Sequence, residues 1–440
     1  MTAIATFGEL KTALSLCKGG EVLELVSGDM PTARLNMIRK FSPPVTIKGN
    51  NTRFVGMFQV EDIDGLTFDG VDMKVNATED YHWCIRFYRC ANIEFVRGGF
   101  EGTIVPAAGD VPDYRMGFGI MGLPAGTKIR WCKFRNLSRA CSFGGGGIVI
   151  EDNDVWNCSE GFQGSNSKVA SFKRNSFRDF RPKPGDHPDA IQLLGSSGPN
   201  SAQDIIVKDN LFSSLLGRGM QGFFVRNEYK HAHLSDPTVP YNERITAEDN
   251  LILGGYYNGI MIEDTLDTLI QRNRVYHIEG DDDIPKVWIR VGAGTGTVKD
   301  NQAHTYMGVA APYVTSNNTL LPTISRADAQ ALEDAWFAKF RPVAAPVPVP
   351  APDPQAQIDA LEAEIATLNA QIVTLNSTIS TGNTSLAAAT TELASVKIAL
   401  ADEKQSTVLL TEKVATLQAR VDVLELALRN IRSTVASVIG

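Results

Sequence analysis

Arg181-Pro182-Lys183-Pro184-Gly185-Asp186-His187-Pro188-Asp189-Ala190-Ile191-Gln192 puts two carboxylates, an imidazole and two bases in a short span. Glycoside cleavage needs one carboxyl group to protonate the leaving oxygen and a second to act from across the sugar ring. Asp186 or Asp189 suits such a role. His187, or Arg218 in a later insertion, is a base able to take a proton in an elimination. The same Asp also reads as the cap of a turn into the next strand, on a loop stiffened by proline. Glu263 is a further carboxylate. If Ile191, Phe223 and Ile260 face inward, then Gln192, Phe224 and Met261 stack outward, and Leu194, Arg226 and Glu263 form the next row. Asp189 and Glu263 then lie two coils, about 10 Å, apart along the axis. That is near the upper separation of an inverting pair. Glu263 also suits plain pairing with Arg226 next door. Phe224, Tyr256 and Tyr257 offer rings that can stack on sugars, and Lys183, Gln192, Arg218 and Arg226 offer polar contacts. Asp281-Asp282-Asp283 suits a hard cation but reads equally as a solvated loop. His231 and His233 lack a third ligand. With no EF-hand, zinc, P-loop or G-x-S-x-G pattern, neither a metal nor a cofactor is expected.

The elements that must position these residues are set by a repeat. Ile205-Ile206-Val207-Lys208-Asp209-Asn210-Leu211-Phe212 is a β-rich run ending in Asn and a large apolar residue. Its pattern recurs around Asn153, Asn175, Asn250, Asn273 and Asn301, at spacings of 22, 35, 40, 23 and 28 residues. Period-two alternation makes these strands. Each is too short to bury its own apolar face, so the copies must stack. An Asn at one turn of every coil can tie up backbone groups that the turn leaves unpaired. Gly98 and Cys132 occupy the same place in earlier coils. A second strand family, Gly117–Ile120, Glu160–Gln163, Asp189–Gln192, Gln221–Phe224 and Asn258–Met261, aligns into one continuous sheet. The two long Asn intervals flank Asn210. Their extra residues must leave the stack as loops, where function commonly sits.

This pattern resembles right-handed parallel β-helix proteins of the pectate-lyase-like kind, and the likeness covers residues 1 to about 320. The His-Pro-Asp-Ala-Ile-Gln string resembles one in pectate-lyase-like and phage β-helix proteins. The expected fold class is mainly β, a right-handed parallel β-helix with an N-terminal capping helix and a C-terminal α-helical coiled coil. Four segments are expected: the β-helix over 1–324, a capping helix over 325–341, a Pro-rich linker over 342–356, and a coiled-coil stalk over 357–440.

Thr6 and Glu9 make a capping box for a helix with Phe7, Leu10, Ala13, Leu14 and Cys17 on one face. Ser325-Arg326-Ala327-Asp328 opens a second helix, whose Leu332, Trp336 and Phe340 stripe can cover the far end of the solenoid. Pro342–Pro354 is a polyproline-type spacer of roughly 40 Å. After it, Ile358, Ile365, Ile372 and their successors at every seventh residue to Val435 pair with an offset set from Leu361 to Val438. This is a coiled-coil seam in unbroken register. Gly382-Asn383 allows a helical hairpin instead, but the retained register favours one straight helix. Ile and Leu at the seam favour a dimer, whereas resemblance to fibrous β-helix proteins implies a trimer.

The net charge of −8 argues against a nucleic-acid partner. No run of 18 apolar residues predicts a membrane span. The first residues lack a signal-peptide pattern. The six cysteines form no CxxC pair and read as buried core thiols. A β-helix, a spacer and a coiled coil together resemble phage tailspike or fibre proteins. The resemblance implies a virion location, attachment to virion proteins through the stalk, and binding or cleavage of host surface polysaccharide. A purely structural decoration fibre and a free polysaccharide lyase or glycoside hydrolase are the alternatives.

Overall fold

The computed structural model describes residues 3–76, 81–103, 105–106, 112–113, 117–181, 188–195, 201–215, 219–255, 257–280, 287–341 and 354–439. The chain divides into two units, Met1–Val343 and Ala344–Gly440. The first is a mainly β parallel β-helix in which 31 strands join into one hydrogen-bonded system. Each coil supplies one strand to each of three faces. Sheet A includes Glu160–Ser165, Asp189–Leu194, Gln221–Arg226, Asn258–Ile262 and Trp288–Val291. Sheet B includes Lys168–Lys173, Gln203–Lys208, Asn242–Glu248 and Thr265–Gln271. Sheet C includes Ser176–Arg178, Leu211–Ser213, Leu251–Leu253 and Arg274–Tyr276.

The turn from sheet B to sheet C carries the asparagine ladder. Asn153 donates from Nδ2 to Asn175 Oδ1 at 2.9 Å, and the same bond runs on through Asn210, Asn250, Asn273 and Asn301 to Asn318. Each Oδ1 also accepts the backbone N–H of the preceding ladder residue, beginning with Cys132. Each amide from Asn153 to Asn318 donates back to a carbonyl of the coil before, such as Asn210 to Phe172 O at 2.9 Å. The residue before each Asn is left-handed, with φ of 60° at Asp152 and 57° at Asp209 and Asp249. That conformation costs an L-residue roughly 1–2 kcal/mol, and the bonds of the buried amide offset it. Asn318 extends the expected set by one member.

The core between the sheets is aromatic. Residues one coil apart stand in register, so their rings stack: Phe100 on Phe134 at 4.7 Å and Phe177 on Phe212 at 5.1 Å. Cys84, Cys132, Cys141 and Cys158 are free and buried in it. Burial pushes the Cys84, Cys132 and Cys158 thiols up to about 12.

Helix α1 (Phe7–Leu16) has the expected capping box at Thr6 and Glu9. Leu10 and Leu14 are fully buried against the core, and Phe7 meets Phe58 edge-on at 5.5 Å. Helix α2 (Glu228–Ala232) lies within the second long insertion, capped by Asn227. Helix α3 (Arg326–Phe340) is capped by Ser325, which accepts the Asp328 N–H.

The structure corrects the expected place of α3. It lies along the outer flank of sheet C rather than over the far end. Leu211, Leu251 and Leu253 face outward there and bury against Ala329 and Trp336. An outward leucine row needs a cover, and α3 supplies it. Polar anchors fix it lengthwise. Arg326 donates to Leu215 O at 2.6 Å and Trp336 Nε1 to Asp209 O at 3.1 Å. Glu333 accepts from the Ser213 hydroxyl, and Arg341 donates to Asn153 O at 2.7 Å.

The second unit holds α4 (Pro354–Ile439), one helix of 86 residues that passes through Gly382 without a turn. Ser and Thr hydroxyls along it bond carbonyls four residues back, as Thr381 does to Ser377 at 3.1 Å. Its seam residues are exposed, among them Leu386, Leu393, Leu410, Val414, Leu417 and Leu424. Most of the Pro-rich linker lies outside the described residues. No helix among the described residues is long and apolar enough to cross a membrane.

Candidate functional site

Sheet A carries the site because both long insertions border it. The 35-residue ladder interval holds the connections on either side of Asp189–Leu194, and the 40-residue interval those on either side of Gln221–Arg226. Between these borders opens a cleft of about 440 Å³. It is lined by Asp189, Gln192 and Leu194, then by Gln221, Phe224, Arg226 and Glu228, and finally by Tyr257, Asn258, Met261, Trp288 and Arg290. The alternation within the strands is as expected. Ile191, Phe223 and Ile260 are in register and point into the core, while Gln192, Phe224 and Met261 stack beside them on the cleft side.

Asp189 begins its strand and is only 3% exposed. Its Oδ2 accepts from Gln192 Nε2 at 2.6 Å, and Gln192 in turn accepts from Gln163. Its Oδ1 is buried with no hydrogen-bond partner among the described residues. Burial, with help from the nearby Glu160 charge, raises the Asp189 carboxyl well above the usual carboxylate range. Burial thus favours the neutral form of a carboxyl group held on the wall of a cleft. Glu160 stands one coil away. Phe162 pairs with Ile191, which sets Glu160 opposite Asp189. On its other side Glu160 is ion-paired with Arg139, whose Nε donates at 2.6 Å.

Glu263 occupies another place. Leu194 pairs with Arg226, and the Glu263 N–H donates to Val225 O, so Glu263 falls on the Arg226 row, five residues along the strand from the row of Asp189. Five residues at about 3.3 Å each, together with two coils of about 4.8 Å, separate the two by roughly 19 Å. The expected 10 Å counted only the rise along the axis. An inverting pair spans about 6.5–9.5 Å, so Asp189 and Glu263 do not form one. Glu263 is instead clamped by Arg290 at 2.7 Å, with Arg226 at 3.8 Å. Glycine at 292 makes room for it, since a Cβ there would lie 2.6 Å from Glu263 Cγ. Arg226 also pairs with Glu228 at 2.6 Å and lies over the Phe224 ring.

The His231/His233 pair diverges. His231 Nδ1 meets the buried Asp264 at 3.2 Å, and His233 Nδ1 meets Tyr229 O at 2.8 Å. Burial raises the Asp264 carboxyl above its ordinary value. Among the described residues no group of three or more His, Cys, Asp or Glu side chains is placed to hold a metal ion. Lys183, Asp186, His187, Arg218, Tyr256 and Asp281–Asp283 lie outside the described residues.

Five polar or aromatic lining residues escaped the sequence reading: Gln221, Asn258, Glu228, Trp288 and Arg290. The first two begin strands in the very alignment that contains Asp189. Asn258 bridges them in space, donating to Gln221 Oε1 and accepting from Trp288 Nε1 at 2.6 Å. Glu160 begins a strand of the same alignment and was legible there too.

No family model and no curated protein matches the chain. Among solved structures, an alginate lyase from Paenibacillus sp. is similar at 12% identity and a TM-score of 0.41, over 73% of this chain and 98% of that one. A tailspike protein from an Acinetobacter baumannii bacteriophage, described as a capsular polysaccharide depolymerase, is similar at 11% identity and a TM-score of 0.36, over 74% and 62%. DFA-IIIase from Arthrobacter chlorophenolicus is similar at 12% identity and a TM-score of 0.35, over 74% and 91%. At these values the likeness is one of coil architecture.

Proposed function

We propose that the protein is a virion-associated spike that binds a host surface polysaccharide in the sheet A cleft and hydrolyses it at the cleft's Asp189 edge, where Glu160 lies one coil beyond. The observation that carries this reading is the buried Asp189 carboxyl, whose Oδ1 has no hydrogen-bond partner among the described residues, on the wall of a cleft bearing Phe224, Tyr257 and Trp288. Aromatic faces match the C–H faces of sugars, and the amides of Gln192, Gln221 and Asn258 match hydroxyl edges. Asp189 gives its proton to the glycosidic oxygen as the C–O bond breaks. The Glu160 carboxylate, one coil of about 4.8 Å away, attacks the anomeric carbon. Neighbouring coils give nearly the separation of a retaining pair, about 5–5.5 Å. Water then releases the glycosyl ester and returns the proton to Asp189. The different surroundings of the two carboxyl groups suit these different roles.

The spike assignment is supported by the combination of a β-helix with a long helix whose apolar seam is exposed. That seam fits further copies of the chain, three by analogy with fibrous β-helix proteins, and the stalk is the candidate attachment to the particle.

The test is incubation of the full chain with purified bacterial capsular polysaccharides and lipopolysaccharides, with new reducing ends and unsaturated-uronate absorbance both followed. Reducing ends without the absorbance are the expected result. The absorbance would replace hydrolysis by elimination. Saturable binding without product would leave a receptor-binding spike. Neither binding nor product would leave a structural fibre.

A further inference from the structure

We propose that the polysaccharide surface continues beyond the cleft, across Glu160 and Arg139, to a second aromatic platform formed by Tyr81 and Phe118. This rests on the cleft being a sugar site. The strand starts of sheet A form one row. Phe118 pairs with Arg139 and Arg139 with Glu160, and Glu160 stands opposite Asp189. Beyond it Asp189 pairs with Gln221, and Asn258, bonded to Gln221, pairs with Trp288. Phe118 is thus three coils from Asp189 on one side, and Trp288 three coils on the other.

At about 4.8 Å per coil, each arm is roughly 14 Å long. Both arms end in paired rings. Tyr81 lies parallel to Phe118 at 6.4 Å between centroids and 16° between planes. Tyr257 meets Trp288 at 5.6 Å and 49°. Arg139 lies over the Phe118 ring at 5.3 Å. Flat apolar faces at the ends, with charged and amide groups between, fit an extended chain of sugar rings. A protein partner would want a contiguous apolar centre, which this row lacks. The placement puts the proton donor midway along the bound chain, so the cut falls inside it and not at its end.

The experiment measures binding of disaccharide to octasaccharide fragments, cut from whichever of a panel of purified capsular polysaccharides binds the full chain. Tyr81→Ala and Phe118→Ala are expected to weaken octasaccharide binding about 3- to 10-fold each, with disaccharide binding unchanged. Trp288→Ala weakens both. Tyr81 is 73% exposed, so its substitution decides the matter even if Phe118→Ala fails to fold. Wild-type binding of every length by both variants, with Trp288→Ala still defective, would overturn the second platform and leave the cleft reading intact. If no polysaccharide binds the unsubstituted chain, the cleft reading falls and the platform with it.

Discussion

Asp189 combines two properties that normally exclude each other: it is a carboxyl group, and it is buried with one oxygen unpartnered. Its raised pKa has a consequence for stability. In the unfolded chain the group ionises near pH 3.9. In the folded chain it resists ionising, so its folded-state advantage is complete below that value and is lost as pH rises through the folded pKa. Asp189→Asn keeps the shape and removes the ionisation. Its thermal midpoint is expected to exceed that of the wild type at pH 8, with the gap closing towards pH 3. A constant gap across that range would contradict the assignment. The same substitution removes the proposed proton donor, and any hydrolysis should fall about 10²- to 10⁴-fold. The place of Asp189 on the cleft wall was readable because its strand aligns with its neighbours. Its partner was misjudged because alternation reports which side of a strand a residue faces, not how far along the strand it sits. Glu263 sits five residues further along the strand than Asp189.

At the scale of elements, the asparagine ladder holds the B-to-C turn of successive coils together. Asn210 accepts both the Asn175 N–H and its Nδ2, and donates to Phe172 O. Alanine there leaves buried donors and an acceptor unmet at about 1–3 kcal/mol apiece. Asn210→Ala is therefore expected to lower unfolding free energy by about 3 kcal/mol or more in a denaturant titration. Asn318, partly exposed and last in the row, should matter less when replaced. This ladder was legible because one residue type recurs before a large apolar residue. Asn318 was missed because its coil is short, 17 residues from Asn301. The flank position of α3 was harder to read. It depends on Leu211, Leu251 and Leu253 being apolar on the side that alternation assigns to solvent, and a stripe on α3 does not say which surface it will meet.

For the whole molecule, the central question is what covers α4. An 86-residue helix spans about 130 Å, and exposed leucines at heptad spacing are unfavourable alone at about 1.5–3 kcal/mol per side chain left unburied. Sedimentation equilibrium of the full chain is expected to give three copies. Leu417→Asp, in the seam's C-terminal half, should shift the distribution toward monomer while the β-helix keeps its circular-dichroism signature. A monomeric wild type would refute the proposed assembly. Glu403 and Thr407 weaken the seam midway, so its two ends should contribute most to the association.

Helix α3 has a mechanical meaning as well. A stack of coils resembles a spring whose turns touch only their neighbours, so disorder at one turn need not be felt three turns away. From Ile324, bridged to Ile278, to Arg341, bonded to Asn153 O, α3 and its flanks make a rigid rod laid against several turns at once. The turns under it include those bearing Asp189 and Gln221. Such a brace turns part of a spring into a beam. A pull along the shaft would then be shared among coils, and the spacing between Glu160 and Asp189 would hold under it.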